Sequence, residues 1–294
     1  MHDTRYGYLL WDSVREQVSC VAMRVLIDGG GVASEIASIS VFDQGLLRGD
    51  GCFEAVRSYG GSPFAMSAHL DRLERSARLL ELELPPRSSL EEWVLAVAGD
   101  GGDCTVRVVV TRGGIDPAVP SRVVVLWESL PDVPAHLSLV PLTAPWHPDG
   151  AVSELTGAKT LSYAPNMAAG RAARRAGFDD ALLIGQSGRV LEGPTFSVAW
   201  VVDAAIETPS LDLGILASIT RETVLRIASA EGIDVREGHY ETTRFDDADE
   251  ALAFSTVKEV RPVVRVGGRH FTPGPVTGLL ARRYRELVAA SPSA

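Results

Sequence analysis

The sequence predicts an α+β chain built as two domains, and three observations carry that expectation. At 294 residues the chain has enough material for two modest cores. Runs with the two-residue period of strands alternate with stretches of helical period on both sides of the midpoint. Between the halves, Leu130-Pro131-Asp132-Val133-Pro134-Ala135 carries two prolines and no period, which reads as a linker. The expected division is an N-terminal extension over 1–22, a small α/β domain over 23–130, a linker at 131–135 and a larger domain over 136–294.

The elements follow in order. Met23–Asp28 reads as a strand, and Gly29-Gly30-Gly31 as its hairpin turn, since no phosphate-loop spacing follows. Residues 52–59 alternate as a strand, with Phe53, Ala55 and Arg57 on one face and Cys52, Glu54 and Val56 on the other. An arginine in line with an apolar face suits either a cavity that receives an anion or a strand end reaching water. A helix is expected from Ser67, as N-cap, to about Leu82. Its His69, Arg72, Leu73, Ala77 and Leu80 share a face, so Arg72 points inward and needs an anion. Leu90–Val97 reads as a short helix, and Thr105–Thr111 and Arg122–Trp127 as strands.

Beyond the linker, Leu137–Leu142 reads as a strand and Asn166–Ala176 as a helix closed by Gly177. Ala181–Ile184 and Gly188–Glu192 form an expected hairpin, followed by a strand over Phe196–Val202 and a turn at Glu207-Thr208-Pro209. A helix opens with Thr220 as N-cap and reaches Glu231. Strands at Ala251–Phe254 and Val263–Val266 precede a final helix over Gly278–Ala290.

Composition excludes several classes. A net charge of −10 with no basic stripe argues against nucleic acid as a main partner. No apolar run is long enough for a membrane-spanning helix, and residues 1–22 lack the pattern of an export signal. Cys20, Cys52 and Cys104 have no metal-ligand spacing, so no metal is expected and a reducing cytoplasm fits best.

Of 28 basic residues only Lys159 and Lys258 are lysines. Lysine can lose a proton when desolvated and attack a carbonyl to form a Schiff base, which arginine cannot do. Lys159 is therefore either the carrier of an aldehyde cofactor or a surface residue at a helix start. Three other features bear on the choice. Glu192 ends a hairpin strand, Ser218-Ile219-Thr220 opens a helix whose free N–H groups suit a phosphate, and Ser255-Thr256 follows a strand.

The segments "GLLRGDGCFEAVR", "HLDRLERSARLL", "KTLSYAPNMAA", "GRVLEGPTFSV", "TPSLDLGILASITR" and "FSTVKEVRPV" resemble, in this order, the class IV (fold type IV) pyridoxal-phosphate aminotransferases. That family includes D-amino-acid and branched-chain aminotransferases, (R)-amine transaminases and aminodeoxychorismate lyases. The resemblance implies a two-domain fold with the active site between the domains, pyridoxal 5'-phosphate as cofactor and a homodimer. It implies that Lys159 forms the Schiff base and moves the proton. Arg72, Ile219, Thr220 and Thr256 would hold the phosphate, Glu192 the pyridine nitrogen, Leu216 the ring face and Tyr163 the ring hydroxyl. Lys258 falls where the family varies and is taken as structural.

For substrate binding the resemblance points to Phe53, Ala55 and Arg57, with Arg57 the leading carboxylate binder and Arg48 and Arg107 the other arginines. The chain departs from the branched-chain pattern, which carries tyrosine at the place of Arg48 and a tyrosine–arginine pair where the strand here offers only Arg107. It also lacks the arginine and histidine that follow the Arg-Gly pair in D-amino-acid aminotransferases. Glu54 follows the transaminase-like "FE" rather than the lyase-like "FT" pattern. The expected function is ping-pong amino transfer from a D-amino acid, or a primary (R)-amine, to a 2-keto acid. The alternatives are a 4-amino-4-deoxychorismate lyase, a branched-chain L-amino-acid aminotransferase and a non-catalytic ligand-binding relative.

Overall fold

The computed structural model describes residues 24–116 and 118–291. The expected extension over 1–22, with Cys20, lies outside the described residues. Strands β1 (Arg24–Ile27) and β2 (Gly30–Ala33) open the chain. Their turn sits at Asp28-Gly29, both at positive φ (50° and 82°), one residue earlier than the three-glycine run suggested. The short helix α1 (Gln44–Arg48) follows, capped by the Asp43 carboxylate accepting from the Gly45 N–H. Next come β3 (Gly51–Tyr59), β4 (Ser62–Pro63), α2 (Met66–Leu79), α3 (Arg87–Gly101), β5 (Cys104–Thr111) and β6 (Arg122–Ser129). These strands form one antiparallel sheet in the order β2-β1-β6-β5-β3-β4.

The alternation expected of β3 is observed. Cys52, Glu54, Val56 and Ser58 are fully buried toward the helices, while Phe53, Ala55, Arg57 and Tyr59 are half-buried on the other face. On α2 the expected inward residues His69, Arg72, Leu73 and Ala77 are all buried. The cap of α2 differs from expectation. Ala65 is the N-cap, at φ 53°, and Ser67 lies inside the first turn with its hydroxyl accepting from Arg87 Nη2.

After residues 130–136, which have no regular structure, come β7 (Leu137–Thr143), α4 (Ala164–Arg175), β8 (Asp180–Ile184), β9 (Ser197–Val202), β10 (Ala205–Pro209), α5 (Ile219–Ala230), β11 (Val235–Gly238), β12 (Glu250–Ser255), β13 (Glu259–Val266), β14 (Arg269–His270) and α6 (Pro275–Ala290). The second sheet runs β11-β10-β9-β12-β13-β7-β8, with β14 on β13. Helices α5 and α6 close an apolar core on it with Val224, Phe254, Leu280 and Tyr284, and α4 closes another with Ala173 and Leu183.

Two expectations are corrected here. Glu207-Thr208-Pro209 is a buried strand, not a turn; the reversal lies at Asp203-Ala204, both at positive φ. Threonine and proline read as turn residues, but Pro209 ends its strand, where a missing N–H costs nothing. The N-cap of α5 is Ser218, whose hydroxyl accepts from the Arg221 N–H, and Thr220 is buried within the first turn.

The sheets meet where the Lys159 segment lies against β3. Phe53 N–H donates to the Lys159 carbonyl (3.0 Å) and Leu161 N–H to the Gly51 carbonyl (2.8 Å). Gly51 permits this approach, since a Cβ there would sit 2.3 Å from the Val110 carbonyl and 2.6 Å from Leu161 Cδ1. On the opposite side the Lys159 N–H donates to Ser76 Oγ of α2 (3.0 Å). Strand β3 and helix α2 thus fix the lysine that lies between β7 and β8 of the second sheet.

Candidate active site

Lys159 is 9% exposed and lies ahead of α4, not at its start. Its Nζ donates to Tyr163 Oη (3.0 Å) and lies 4.3 Å from the centre of the Phe53 ring. Phe53 and Tyr163 meet edge to face at 5.1 Å. This amine opens into a cavity of about 440 Å³. The cavity gathers Phe53, Ala55, Arg107 and Arg72 from the first half of the chain. It joins them to Tyr163, Leu216 and Thr256 from the second.

Arg72 is held from two directions. Its Nε and Nη2 donate to the two oxygens of Glu54 (2.7 and 2.8 Å), and Nη1 to the Ala217 carbonyl (2.9 Å). Glu54 is 0% exposed and also accepts from His69 Nδ1 (2.8 Å). Burial pushes the Glu54 carboxyl up, but the Arg72 charge and the bonds from Arg72 and His69 outweigh it and hold it well below the usual range. With Glu54 ionised, His69 donates through Nδ1–H and stays neutral; burial pushes its pKa down despite Glu54. The bidentate pair fixes the guanidinium plane, and Nη1 and Nη2 each keep a second N–H.

Beside Arg72, Ser218 lines the cavity at the start of α5. The first-turn N–H groups of a helix have no intrahelical partner, which leaves those of Ile219 and Thr220 available next to Ser218, although neither residue lines the cavity. Arg72, this helix start and the Ser255-Thr256 turn form a cup for an anion.

Glu192 lies across Tyr163 and Leu216 from this cup, lining a second cavity of about 720 Å³ that shares both residues. Its carboxylate accepts from the Leu216 N–H (3.3 Å to each oxygen) and lies 3.4 Å from His147 Nε2. His147 Nδ1 accepts from the Asp149 N–H (3.4 Å), so the ring proton falls on Nε2, facing Glu192. An amine, an anion cup, and a carboxylate beyond a leucine and a tyrosine fit a phosphorylated pyridine aldehyde.

Two expected substrate residues stand apart. Arg57 lines neither cavity; its guanidinium stacks over Tyr59 at 4.6 Å. Two residues of strand advance about 7 Å, which carries Arg57 past the end of the cavity that Phe53 and Ala55 line. Arg48 is exposed and lines the second cavity, away from Arg107. Arg107 does reach the site, its guanidinium 5.7 Å from the Phe53 ring centre and bonded through Nε to Glu128. Lys258, taken as structural, lines the same cavity as Lys159.

Sequence reasoning missed the roles of Glu54 and His69 around Arg72, and of His147 beside Glu192. A histidine three residues before an inward arginine on one helix face was the available signal for the first; none marked the second.

Comparison with known proteins agrees with this geometry. Residues 51–266 match the family model of class IV amino-transferases. Over 279 residues the chain is 30% identical to a putative branched-chain-amino-acid aminotransferase of Methanocaldococcus jannaschii, covering 90% of this chain and 96% of that one. It is 28% identical to the aminodeoxychorismate lyase of Bacillus subtilis (90% and 94% covered). Identity to a D-alanine aminotransferase of Listeria monocytogenes is 29% (90% and 96% covered). Among solved structures, a fold IV transaminase of Curtobacterium pusillum superposes with a TM-score of 0.80 at 30% identity, over 91% of this chain and 98% of that one. A hypothetical aminotransferase of Mycobacterium tuberculosis in its PLP-bound form does so at 0.84 and 25%, over 91% and 99%. With Lys159, Glu192 and the anion cup in one place, the chain belongs to the class IV aminotransferases, pyridoxal-phosphate enzymes of fold type IV.

Proposed function

We propose that the protein moves an amino group from a D-amino acid, or a primary (R)-amine, to a 2-keto acid in a ping-pong sequence, with Lys159 as its catalytic residue. The observation that carries this is the buried Lys159 amine, set between an anion cup on one side and Arg107 on the other. Pyridoxal phosphate supplies an aldehyde that condenses with amines and a ring that takes up the electron pair left when the amine carbon loses its proton. The chain's residues do the rest. Lys159 Nζ takes the proton from the amine carbon and returns it, oriented by Tyr163 Oη. Arg72, the Ile219 and Thr220 amides and Thr256 hold the phosphate. Glu192, which accepts from the Leu216 N–H and faces His147, pairs with the pyridine nitrogen, and Leu216 packs on the ring. Phe53 and Ala55 shape the substrate side, and Arg107 replaces Arg57 as carboxylate binder.

Donor choice is supported by what β5 presents. It offers Arg107 with Thr105 two residues before it, not the tyrosine–arginine pair of branched-chain enzymes. The Phe53-Glu54 pair favours transfer over the lyase reaction, since it follows the transaminase-like pattern. We also infer a homodimer. Ile36, Val41, Phe42, Leu46 and Leu47 are exposed within one short segment, Phe42 by 75%, beside the second cavity. Sedimentation should give twice the chain mass. The two sheets would each belong to one domain, joined at 131–135, and buried free Cys52 and Cys104 suit a reducing cytoplasm.

The purified enzyme should carry a visible absorbance band that D-alanine, D-glutamate or (R)-1-phenylethylamine bleaches. Lys159→Ala should lose the band and at least about 10³-fold in turnover. Retention of both would remove the central assignment. Bleaching by L-leucine alone would overturn the D-selective choice, and pyruvate release from 4-amino-4-deoxychorismate without an acceptor would identify the lyase.

A further inference from the structure

Lys258 is the only other lysine of the chain, and its ammonium is oddly placed for a structural one. The side chain is 18% exposed and lines the Lys159 cavity. A charge so far withdrawn from water ordinarily makes bonds of about 2.7–2.9 Å to an acceptor. Here the nearest acceptors are Thr195 Oγ1 at 3.5 Å and Asp180 Oδ2 at 3.8 Å, with the Phe196 ring centre at 5.0 Å. Burial pushes the Lys258 pKa down, Asp180 partly restores it, and Arg174 lowers it again. Asp180 steadies the charge without saturating its three donors, and its other oxygen is engaged by the Ala181 N–H (2.9 Å).

Besides Arg72, the cavity therefore holds two further cations, Arg107 and Lys258, each packed on a different ring. Arg107 packs against the same Phe53 ring as Lys159 Nζ, which puts it on the Lys159 side of the cavity. Lys258 shares no contact with that ring and packs instead on Thr195 and Phe196. Apolar side chains, Val109, Met167 and Val257 among them, line the same cavity. We propose that Lys258 is a specificity-determining residue that receives the second carboxylate of a dicarboxylic substrate while Arg107 holds the first. Five-carbon dicarboxylic keto acids and their amino counterparts match this chemistry. A monocarboxylic substrate leaves the ammonium with Asp180 alone.

This rests on the transaminase reading of the cavity, and equilibrium binding separates the two. The cofactor-loaded enzyme is titrated with glutarate and with butyrate, unreactive acids that differ in the second carboxylate, by the shift in cofactor absorbance. Wild type should bind glutarate at least tenfold more tightly than butyrate. Lys258→Met should abolish that ratio, and Asp180→Asn, which leaves the ammonium unpaired, should keep or raise it. A ratio near one in wild type overturns the proposal. So does a ratio unchanged in Lys258→Met, or lost equally in Asp180→Asn, since either marks a merely structural pair. If D-alanine fails to bleach the enzyme but the ratio behaves as stated, the donor reading falls and the subsite stands.

Discussion

At the Arg72 end of the cavity the charges are paired inside the protein: Glu54 takes two bonds from Arg72 and one from His69, and all three side chains are buried. At the other end Arg107 is 36% exposed and shares one bond with a surface carboxylate, and Lys258 has only long contacts. The difference follows the ligands. On the proposed reading, one end would serve a phosphate that is the same in every turnover, so its arginine can be locked in one plane. The other would serve donors and acceptors that alternate, and a side chain locked to a protein carboxylate could not give its bonds to them. Pairing within the protein would thus separate groups that hold the cofactor from groups that select substrate.

Breaking the locked end should have the largest effect. Glu54→Gln leaves the Arg72 guanidinium buried without a countercharge, at a cost of about 3–5 kcal/mol in stability. Urea unfolding of the cofactor-free protein checks it. Because Arg72 also donates to Ala217 ahead of α5, the variant should also bind pyridoxal phosphate more weakly by dialysis. A loss below about 1 kcal/mol would mean that the clamp is no tighter than a surface pair.

The two ends also differ in how far the sequence reveals them. Lys159 stands out by rarity, and Arg72 by the helical period that turns it inward among leucines. The strand and helix runs follow hydrophobic periods closely, so both sheets are largely readable. Glu54 shows only which face of β3 it occupies, because its partners lie 15 and 18 residues on and meet it only after packing. Arg57 fails for a related reason, since a period of two gives the face of a strand but not where a cavity ends. Lys258 sits in a turn after β12, and nothing local tells which way a turn residue points. Caps mislead similarly, at α2 because Ala65 takes the position without a side-chain bond and at α5 because Ser218 and Thr220 are both candidates.

Arg107 sharpens the comparison from the loose side. Its bond with Glu128 is half in water, so Arg107→Met should cost at most about 1 kcal/mol in stability. Its bond to a substrate carboxylate is worth about 1.5–3 kcal/mol, so KM for D-alanine should rise about 10- to 100-fold. (R)-1-phenylethylamine has no carboxylate and should be spared. Equal losses on both substrates would deny the carboxylate role, and Arg57→Met should not reproduce the selective loss.

The smallest effect concerns His69 and is read through pH. Buried and neutral beside Glu54, it has a folded pKa pushed below the unfolded value of about 6.5. As pH falls through about 6.5 the unfolded chain takes up a proton that folded His69 refuses. Its contribution is therefore complete above that pH and lost as pH falls toward the folded pKa, with a slope of at most about 1.4 kcal/mol per pH unit. Glu54 is also depressed, so its contribution is complete above the ordinary carboxylate pKa of about 4.3 and is lost only at lower pH. The two groups are separable between pH 7 and 5.5, where only the histidine titrates. His69→Asn keeps a donor near Glu54 and removes the titration, so wild type should lose about 1 kcal/mol more than the variant across that interval. Parallel stability curves would mean that His69 has the same pKa folded and unfolded, whereas a wild type that gains stability over the variant as pH falls would mean that His69 is protonated in the folded protein, with two cations on one carboxylate.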